Sequence, residues 1–402
     1  MMQPRVCAAD VSGLRVMCAV VLGGAGIAAS ARGQWTVIDL TPPGVPHAIL
    51  LGIWGDHQVG AAYPGDRVRP GVWSGSPQSW IDLSPTALSD SEALGVCEEH
   101  QVGYVRWAFR GSEEACRWRG TSASRVNLHP QGATASSATC ASARHQGGWV
   151  RFENQFHASL WNGNNVTWVD LNPPGASNSG MSAMLGDVQA GSAQFGGVRH
   201  AGLWHGTRES WVDLHPVDMV SSSVSGLSAD QQVGRTYGID GRQHAAVWSG
   251  TPASWVDLNP RLMNSSEAEG VSHGIQIGWT VLRDNPAHAA LWYGSAQSWK
   301  DLHNLLPAGT TQSQARGIWI DSRFMYIAGS ASQPNGTRAI LWRRCRADFN
   351  EDGSVDFFDY DDFVRCMEGS GCPANATADF NWDGAVDFFD YEKFVLAFEL
   401  GC

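Results

Sequence analysis

The sequence predicts a mainly β fold, a seven-bladed β-propeller closed by its own N-terminal strand, with a small α-helical domain after it. Three observations predict it. A phrase recurs about every 44 residues through residues 34–344. A lone strand before the first unit matches a strand missing from the last. Two acidic loops, each followed by an amphipathic pattern, occupy residues 345–402.

The chain opens with Arg5 and Arg15, an apolar run from Val16 to Ala29, and the small-residue pattern Ala29-Ser30-Ala31. That order reads as a secretory signal peptide over residues 1–33. The run is too short and too rich in glycine for a spanning helix. The expectation is a secreted protein, extracellular or at a bacterial cell surface, with no transmembrane segment in the mature chain.

The repeat comes next. VWSGSPQSWIDLSP from Val72 returns as LWNGNNVTWVDLNP from Leu160, LWHGTRESWVDLHP from Leu203, VWSGTPASWVDLNP from Val247 and LWYGSAQSWKDLHN from Leu291, with a degraded copy from Arg117. A Gln-Val-Gly phrase precedes it, as at Gln58 to Gly60 and Gln232 to Gly234. Each unit reads as four short strands separated by Pro or Gly turns, the content of a propeller blade. Trp35 to Leu40 is a fourth strand with no unit before it, and Ala315 to Trp342 holds three strands with no fourth. Joined, they close a ring of seven blades and leave no free sheet edge.

Once-per-blade residues serve the blade before they serve a reaction. Asp39, Asp82, Asp170, Asp213, Asp257 and Asp301 share one position, filled in the remaining unit by Asn127, and suit a turn or cross-strand hydrogen bond. His157, His200, His244 and His288 share another, one per blade, too spread to hold one metal ion. Thirteen of the nineteen tryptophans fall at two repeat positions and read as packing. Trp54, Trp279 and Trp319 lie nearer the expected ring axis and are the better ligand-stacking candidates. No nucleophile elbow, zinc helix or phosphate loop is present, so no catalytic residue is assigned and catalysis is disfavoured. A propeller glycoside hydrolase or polysaccharide lyase is the alternative, and non-repeat carboxylates with His or Arg at one mouth of the ring would favour it.

The body resembles the extracellular HAF repeat family in its Gln-Val-Gly strands and in His157-Ala158, His200-Ala201, His244-Ala245 and His288-Ala289, each leading to a Leu-Trp or Val-Trp. The resemblance implies an exported repeat protein and no defined chemistry.

The tail carries the charge. Cys345 to Cys402 holds fourteen Asp and Glu against three Lys and Arg, which accounts for −11 of the chain's −12. The body is nearly neutral and has no basic stripe, so nucleic acid is not an expected partner. DFNEDGSVDFFDYDDF from Asp348 and DFNWDGAVDFFDYEKF from Asp379 agree at twelve of sixteen positions. Calcium takes roughly six to eight oxygens, and an EF-hand loop supplies them from positions 1, 3, 5, 7, 9 and 12 around a glycine at 6. The ligands expected for two Ca2+ ions are Asp348, Asn350, Asp352, the Ser354 carbonyl, Asp356 and Asp359 in the first loop. Those of the second are Asp379, Asn381, Asp383, the Ala385 carbonyl, Asp387 and Asp390. Gly353 and Gly384 make the turns, and helices are expected over Phe357 to Met367 and Phe388 to Leu400.

A loop and one following helix, duplicated, resembles the dockerin family, in the variant of bacterial exported proteins that end in Gly-Cys, here Gly401-Cys402. The resemblance implies calcium-dependent docking to a cohesin-like partner or cell-surface scaffold. Where dockerins commonly carry a Ser/Thr pair that sets partner choice, this chain has Phe357-Phe358 and Phe388-Phe389. It also lacks a Pro/Thr-rich linker before Cys345. Four tail cysteines allow three pairings. Cys366 with Cys372, closing a short loop, and Cys345 with Cys402, clasping the module's ends, are favoured. Cys97, Cys116 and Cys140 are equally compatible with one bridge or with buried thiols.

Overall fold

The computed structural model describes residues 35–85, 89–107, 111–283 and 285–401. The signal-peptide segment, Cys7, Cys18 and Cys402 lie outside these. Seven four-stranded antiparallel sheets follow one another. Blade 1 runs through His47–Trp54, His57–Tyr63, Arg69–Trp73 and Ile81–Asp82; blade 6 through Ser265–Ser272, Ile275–Val281, His288–Trp292 and Lys300–Asp301. Blade 7 takes Gln312–Ile320, Phe324–Gln333 and Gly336–Cys345 from the end of the ring and Thr36–Asp39 from its start. That last pair is antiparallel, with Thr36 opposite Arg343 and Asp39 opposite Ile340. The ring closes as the repeat count predicts.

The repeat phrases are explained by their contacts. Trp73, Trp118, Trp161, Trp204, Trp248, Trp292 and Trp342 are fully buried, one per blade. Removing any one would cost about 3–5 kcal/mol by the usual cost of truncating a buried aromatic. The Gln of Gln-Val-Gly accepts from a backbone N–H in the turn after the third strand: Gly75 onto Gln58, Gly206 onto Gln189, Gly294 onto Gln276. The Gly of that phrase meets the first strand so closely that a Cβ at Gly278 would stand 1.9 Å from the Glu267 carbonyl oxygen. Blades are joined by a hydroxyl of the next blade's first strand, which accepts from the third strand: Ala158 N–H to Ser179, Ala201 to Ser222, Ala245 to Ser266, Ala289 to Ser313. At the closure Ala339 N–H donates instead to the hydroxyl of Thr41, just past blade 7's fourth strand.

The repeated aspartate is structural. One oxygen accepts from the N–H two residues on, in all six Asp copies and at Asn127. The other faces the His-Ala histidine at 2.7–3.0 Å in blades 3 to 6. Cys97, Cys116 and Cys140 are buried free thiols, and burial pushes Cys97 up to about 11 and Cys140 to about 12. The bridge left open for this trio is not formed.

Every first strand carries a bulge at one level, between Leu50 and Gly52 in blade 1 and Ala268 and Gly270 in blade 6. The extra residues include Thr139, Ser225, Glu269 and Arg316. Thr139 donates to the Met181 carbonyl, Ser225 to Glu267, and Arg316 to Glu269, each reaching the next blade or back to the one before.

The third strand of blade 7 ends at Cys345, and the first acidic loop begins three residues later. Helix α1 spans Phe357–Met367 and α2 Phe388–Leu400. The module's core pairs like with like. Phe363 stacks on Phe394 at 4.0 Å, and the Tyr360 and Tyr391 hydroxyls meet at 2.9 Å. Cys366 and Cys372 are bridged, and Cys345 is also disulfide-bonded. Among the described residues no helix is long and apolar enough to cross a membrane.

Candidate metal centre and the channel beside it

Both acidic loops have the backbone an EF-hand needs. Gly353 and Gly384 at position 6 take φ of +90° and +89°, and Glu351 and Trp382 at position 4 take +60° and +64°. Positive φ at adjacent corners folds the amides inward. Gly384 and Asp383 N–H donate to the two oxygens of Asp379, and Gly353 N–H approaches Asp348 at 3.4 Å. Asp356 and Asp387 cap α1 and α2, accepting from Phe358 and Phe389 at 2.8 Å. Asp359 and Asp390 return the bond to the cap N–H at 2.9 Å, which completes a capping box on each helix.

The position-12 carboxylates are fully buried. Asp359 also accepts from Phe349 and Asn350 N–H, and Asp390 from Asn381 N–H. Asp348 is buried too. Loss of water, then the charge of Asp359, pushes its carboxyl up to about 6, and burial raises Asp359. Two buried carboxylates that repel one another form a site whose charge a cation would neutralise. The donors are oxygen throughout, in the order suited to a hard divalent ion. Positions 9 and 12 are held by backbone amides, and among the described residues no three His, Cys, Asp or Glu converge on one point.

Phe357, Phe358, Phe388 and Phe389 are 69%, 65%, 68% and 59% exposed, so neither pair packs the module's core.

The two loops differ where they meet the ring. Glu351 accepts from the Tyr293 hydroxyl at 2.7 Å and pairs with Lys300 and Arg344. Trp382, at the same position of the second loop, packs against His273 of blade 6, ring centres 4.7 Å apart. Arg346 lies between ring and module, nearly buried. It donates to the Asp321 carbonyl at 2.7 Å and to the Phe380 carbonyl, with its guanidinium over the Phe380 ring at 4.0 Å. Burial lowers this guanidinium to about 10. Arg323 holds the far end through the Gly401 carbonyl at 2.7 Å. The missing linker is thus matched by a fixed seat.

Beneath the second loop, on the side of the bulges that carries the first-to-second-strand hairpins, lies a central cavity of about 750 Å³. Trp54 and Trp319 lie in its wall with ring centres 4.6 Å apart, and Asp379, Trp382 and Gly384 close part of it. Trp279, the third stacking candidate, is elsewhere: its indole donates to Glu269 at 3.2 Å. Sequence reasoning missed Trp382 and Glu351, although position 4 is where the two loops differ most in chemistry.

On the other side of the bulges, carboxylates and arginines do gather. Glu267 is buried and accepts from Arg235 at 2.5 Å, and Glu269 accepts from Arg316 at 2.7 Å. Burial, partly offset by Arg316, raises the Glu269 carboxyl.

No family model matches the chain, and no curated protein matches it. Solved structures do. The β-propeller domain of the Trilobed protease from Pyrococcus furiosus, described as having an open velcro topology, is 8% identical over 78% of this chain and 98% of that one, with a TM-score of 0.50. Puromycin hydrolase is 10% identical at a TM-score of 0.50, and an acylaminoacyl peptidase 8% identical at 0.50. The chain spans about half the length of these two, 55% and 53%. The likeness shows the propeller fold.

Proposed function

We propose that this chain is an exported, non-catalytic binding protein whose propeller presents a recognition surface and whose C-terminal module docks it, with calcium, to a cohesin-like partner on a cell-surface or extracellular scaffold. The observation that carries the reading is the duplicated loop-and-helix with EF-hand backbone and an exposed phenylalanine pair at the start of each helix. Asp348, Asn350, Asp352, Asp356 and Asp359, with the Ser354 carbonyl, hold the first ion. Asp379, Asn381, Asp383, Asp387 and Asp390, with the Ala385 carbonyl, hold the second. The metal supplies charge neutralisation and a fixed loop shape, and carries no chemistry beyond that. The chain's own residues then do the presenting. The capping boxes fix each helix start, so the Phe357-Phe358 and Phe388-Phe389 pairs face outward in matching settings. The disulfides support an oxidising compartment.

Calorimetric titration of the full chain should find two calcium ions. A pull-down with the calcium-loaded chain should retain a partner that is lost on chelation and in the Phe358→Ser, Phe389→Ser variant. Heat-silent titration would remove the calcium reading.

One observation favours a second reading, a propeller glycoside hydrolase or polysaccharide lyase carried by the same module: Glu267 and Glu269 with Arg235 and Arg316. Hydrolysis or cleavage of a polysaccharide panel that disappears in Glu269→Gln would establish it.

A further inference from the structure

The cavity under the second loop belongs to neither domain alone. Its ring wall is apolar, built from Trp54 and Trp319 with Ile53, Met184, Leu227 and Ile318. Its remaining wall comes from the module, through Asp379, Trp382 and Gly384. At about 750 Å³ it is within the size range of small-molecule sites, which are mostly apolar with a few polar groups at one end. The charges sort the ligand. No Lys or Arg lines the cavity among the described residues, while Asp230 and Asp379 stand at the module end. Asp230, which is no expected calcium ligand, keeps its charge when the loop is loaded and disfavours an anion there, while a neutral or cationic molecule meets no such penalty.

Three features make this a built chamber and not a gap between packed domains. The bulge-level residues Thr139 and Ser182 belong to its wall. Trp54 and Trp319, at the same level in blades 1 and 7, are only partly buried by the ring's core and line the cavity. Trp382 reaches the mouth from a backbone with φ +64°, a region that disfavours a large L side chain, yet it is the bulkiest residue of its loop. The first loop, free of any role at the mouth, carries Glu351 there instead.

We propose that this chamber binds a small apolar, ring-bearing molecule, neutral or cationic, and that the second calcium loop is its fourth wall, so that calcium and ligand bind with coupled affinities. The proposal rests on the calcium reading above. Asp379 is both the first residue of the loop and a lining residue, and Trp382 lies between the expected ligands Asn381 and Asp383. A loop shaped by its ion sets the Trp382 wall; a loop without it leaves the mouth open. By linkage, the ligand must tighten calcium at the second loop by the factor that calcium tightens the ligand.

The test uses the full chain and N-phenyl-1-naphthylamine, a neutral aromatic dye that fluoresces when sheltered from water. One dye per chain should bind, about tenfold more tightly with calcium than with a chelator, a typical coupling between sites. Ser182→Trp fills the chamber from an exposed serine and should abolish binding. Trp54→Ala with Trp319→Ala should weaken it about tenfold, the scale of lost aromatic contacts. Trp382→Gly should keep both calcium ions by calorimetry while the dye's calcium dependence disappears. Dye binding that survives Ser182→Trp, or that is lost in Phe358→Ser, Phe389→Ser, places the dye elsewhere and overturns the chamber. If calorimetry shows no calcium, the coupling falls with the calcium reading, and Ser182-dependent dye binding alone then separates that failure from failure of the chamber.

Discussion

The two acidic loops are near copies in sequence and are not copies in surroundings. Both have the turn glycine, the capping box and the buried position-12 aspartate. The first spends position 4 on an ion-pair cluster with Lys300, Arg344 and Tyr293 at the ring's rim, and the second spends it on an indole at the ring's mouth. What the loops share is the expected metal chemistry; what separates them is which part of the propeller each one seats against. The two loops are near copies in sequence, and the residue at position 4 of each meets a different part of the ring.

Chelation should have the largest effect on this comparison. Each loop crowds carboxylates whose repulsion a bound cation would relieve, so calorimetry of the full chain with EDTA should lose an entire low-temperature transition while the ring's transition remains. A single transition unchanged by chelation would show that the loops need no ion.

Next in size, Asp359→Ala should destabilise the module by about 3 kcal/mol, because three N–H groups, that of Phe349 buried, lose their acceptor. Asp390→Ala should cost somewhat less, since two N–H groups depend on that side chain. Equal losses, read by urea denaturation, would mean that the capping box alone matters.

Smaller again, Glu351→Ala should cost about 1–3 kcal/mol by leaving the nearly buried Arg344 without its carboxylate. Glu351→Gln should recover part of it by keeping the Tyr293 contact. Hydrogen exchange should report the loss at the module's seat and not inside the ring.

The smallest effect belongs to the ring. His215 and His303 stack on His200 and His288 at 4.2 and 3.8 Å. Burial, then the neighbouring imidazole, lowers both below the ordinary histidine value. The unfolded chain therefore takes up these protons first, and the stability they contribute is full above roughly pH 6.5 and lost as pH falls below it. His244, raised by its bond to Asp257, acts in the opposite sense, against four lowered histidines that also include His100 and His273. Blades 3 and 5 supply the control, because Asn172 and Asn259 fill the same position and accept from the next blade's serine at 2.7 Å. The double variant His215→Asn, His303→Asn should melt at a temperature less sensitive to pH between 7 and 5.

The ring was legible because it is written seven times. A once-per-blade Trp, Gln-Val-Gly or Asp carries the same physical demand in every copy, so the repeats identify the demand even where one copy drifts, as at Asn127. Closure was legible for a related reason, a surplus strand at one end and a deficit at the other. The bulges were not, because the extra residue is Leu in blades 1 and 2, Ser or Thr in blades 3 to 5, then Glu269 and Arg316. No side-chain pattern marks it. The seat of the module was equally hidden. Glu351 and Trp382 carry no motif, and their partners Tyr293, Arg344 and His273 stand at positions where other blades hold unrelated residues. Trp279 shows the same limit from the other side: nearness to the axis was read correctly for Trp54 and Trp319, but pointing direction depends on the bulge.

Closing the ring with its first strand also sets an order of events. The hydrogen bond from Ala339 to Thr41 joins residues 298 positions apart. Contacts of such long range form late, because a loop of that size must be closed before the pairing stabilises anything. Thr36–Asp39 gains its partner only when Gly336–Cys345 has formed, and that strand runs straight into the acidic module. The closing strand and the module are thus neighbours along one strand of the finished molecule, so ring closure fixes the point from which the module departs.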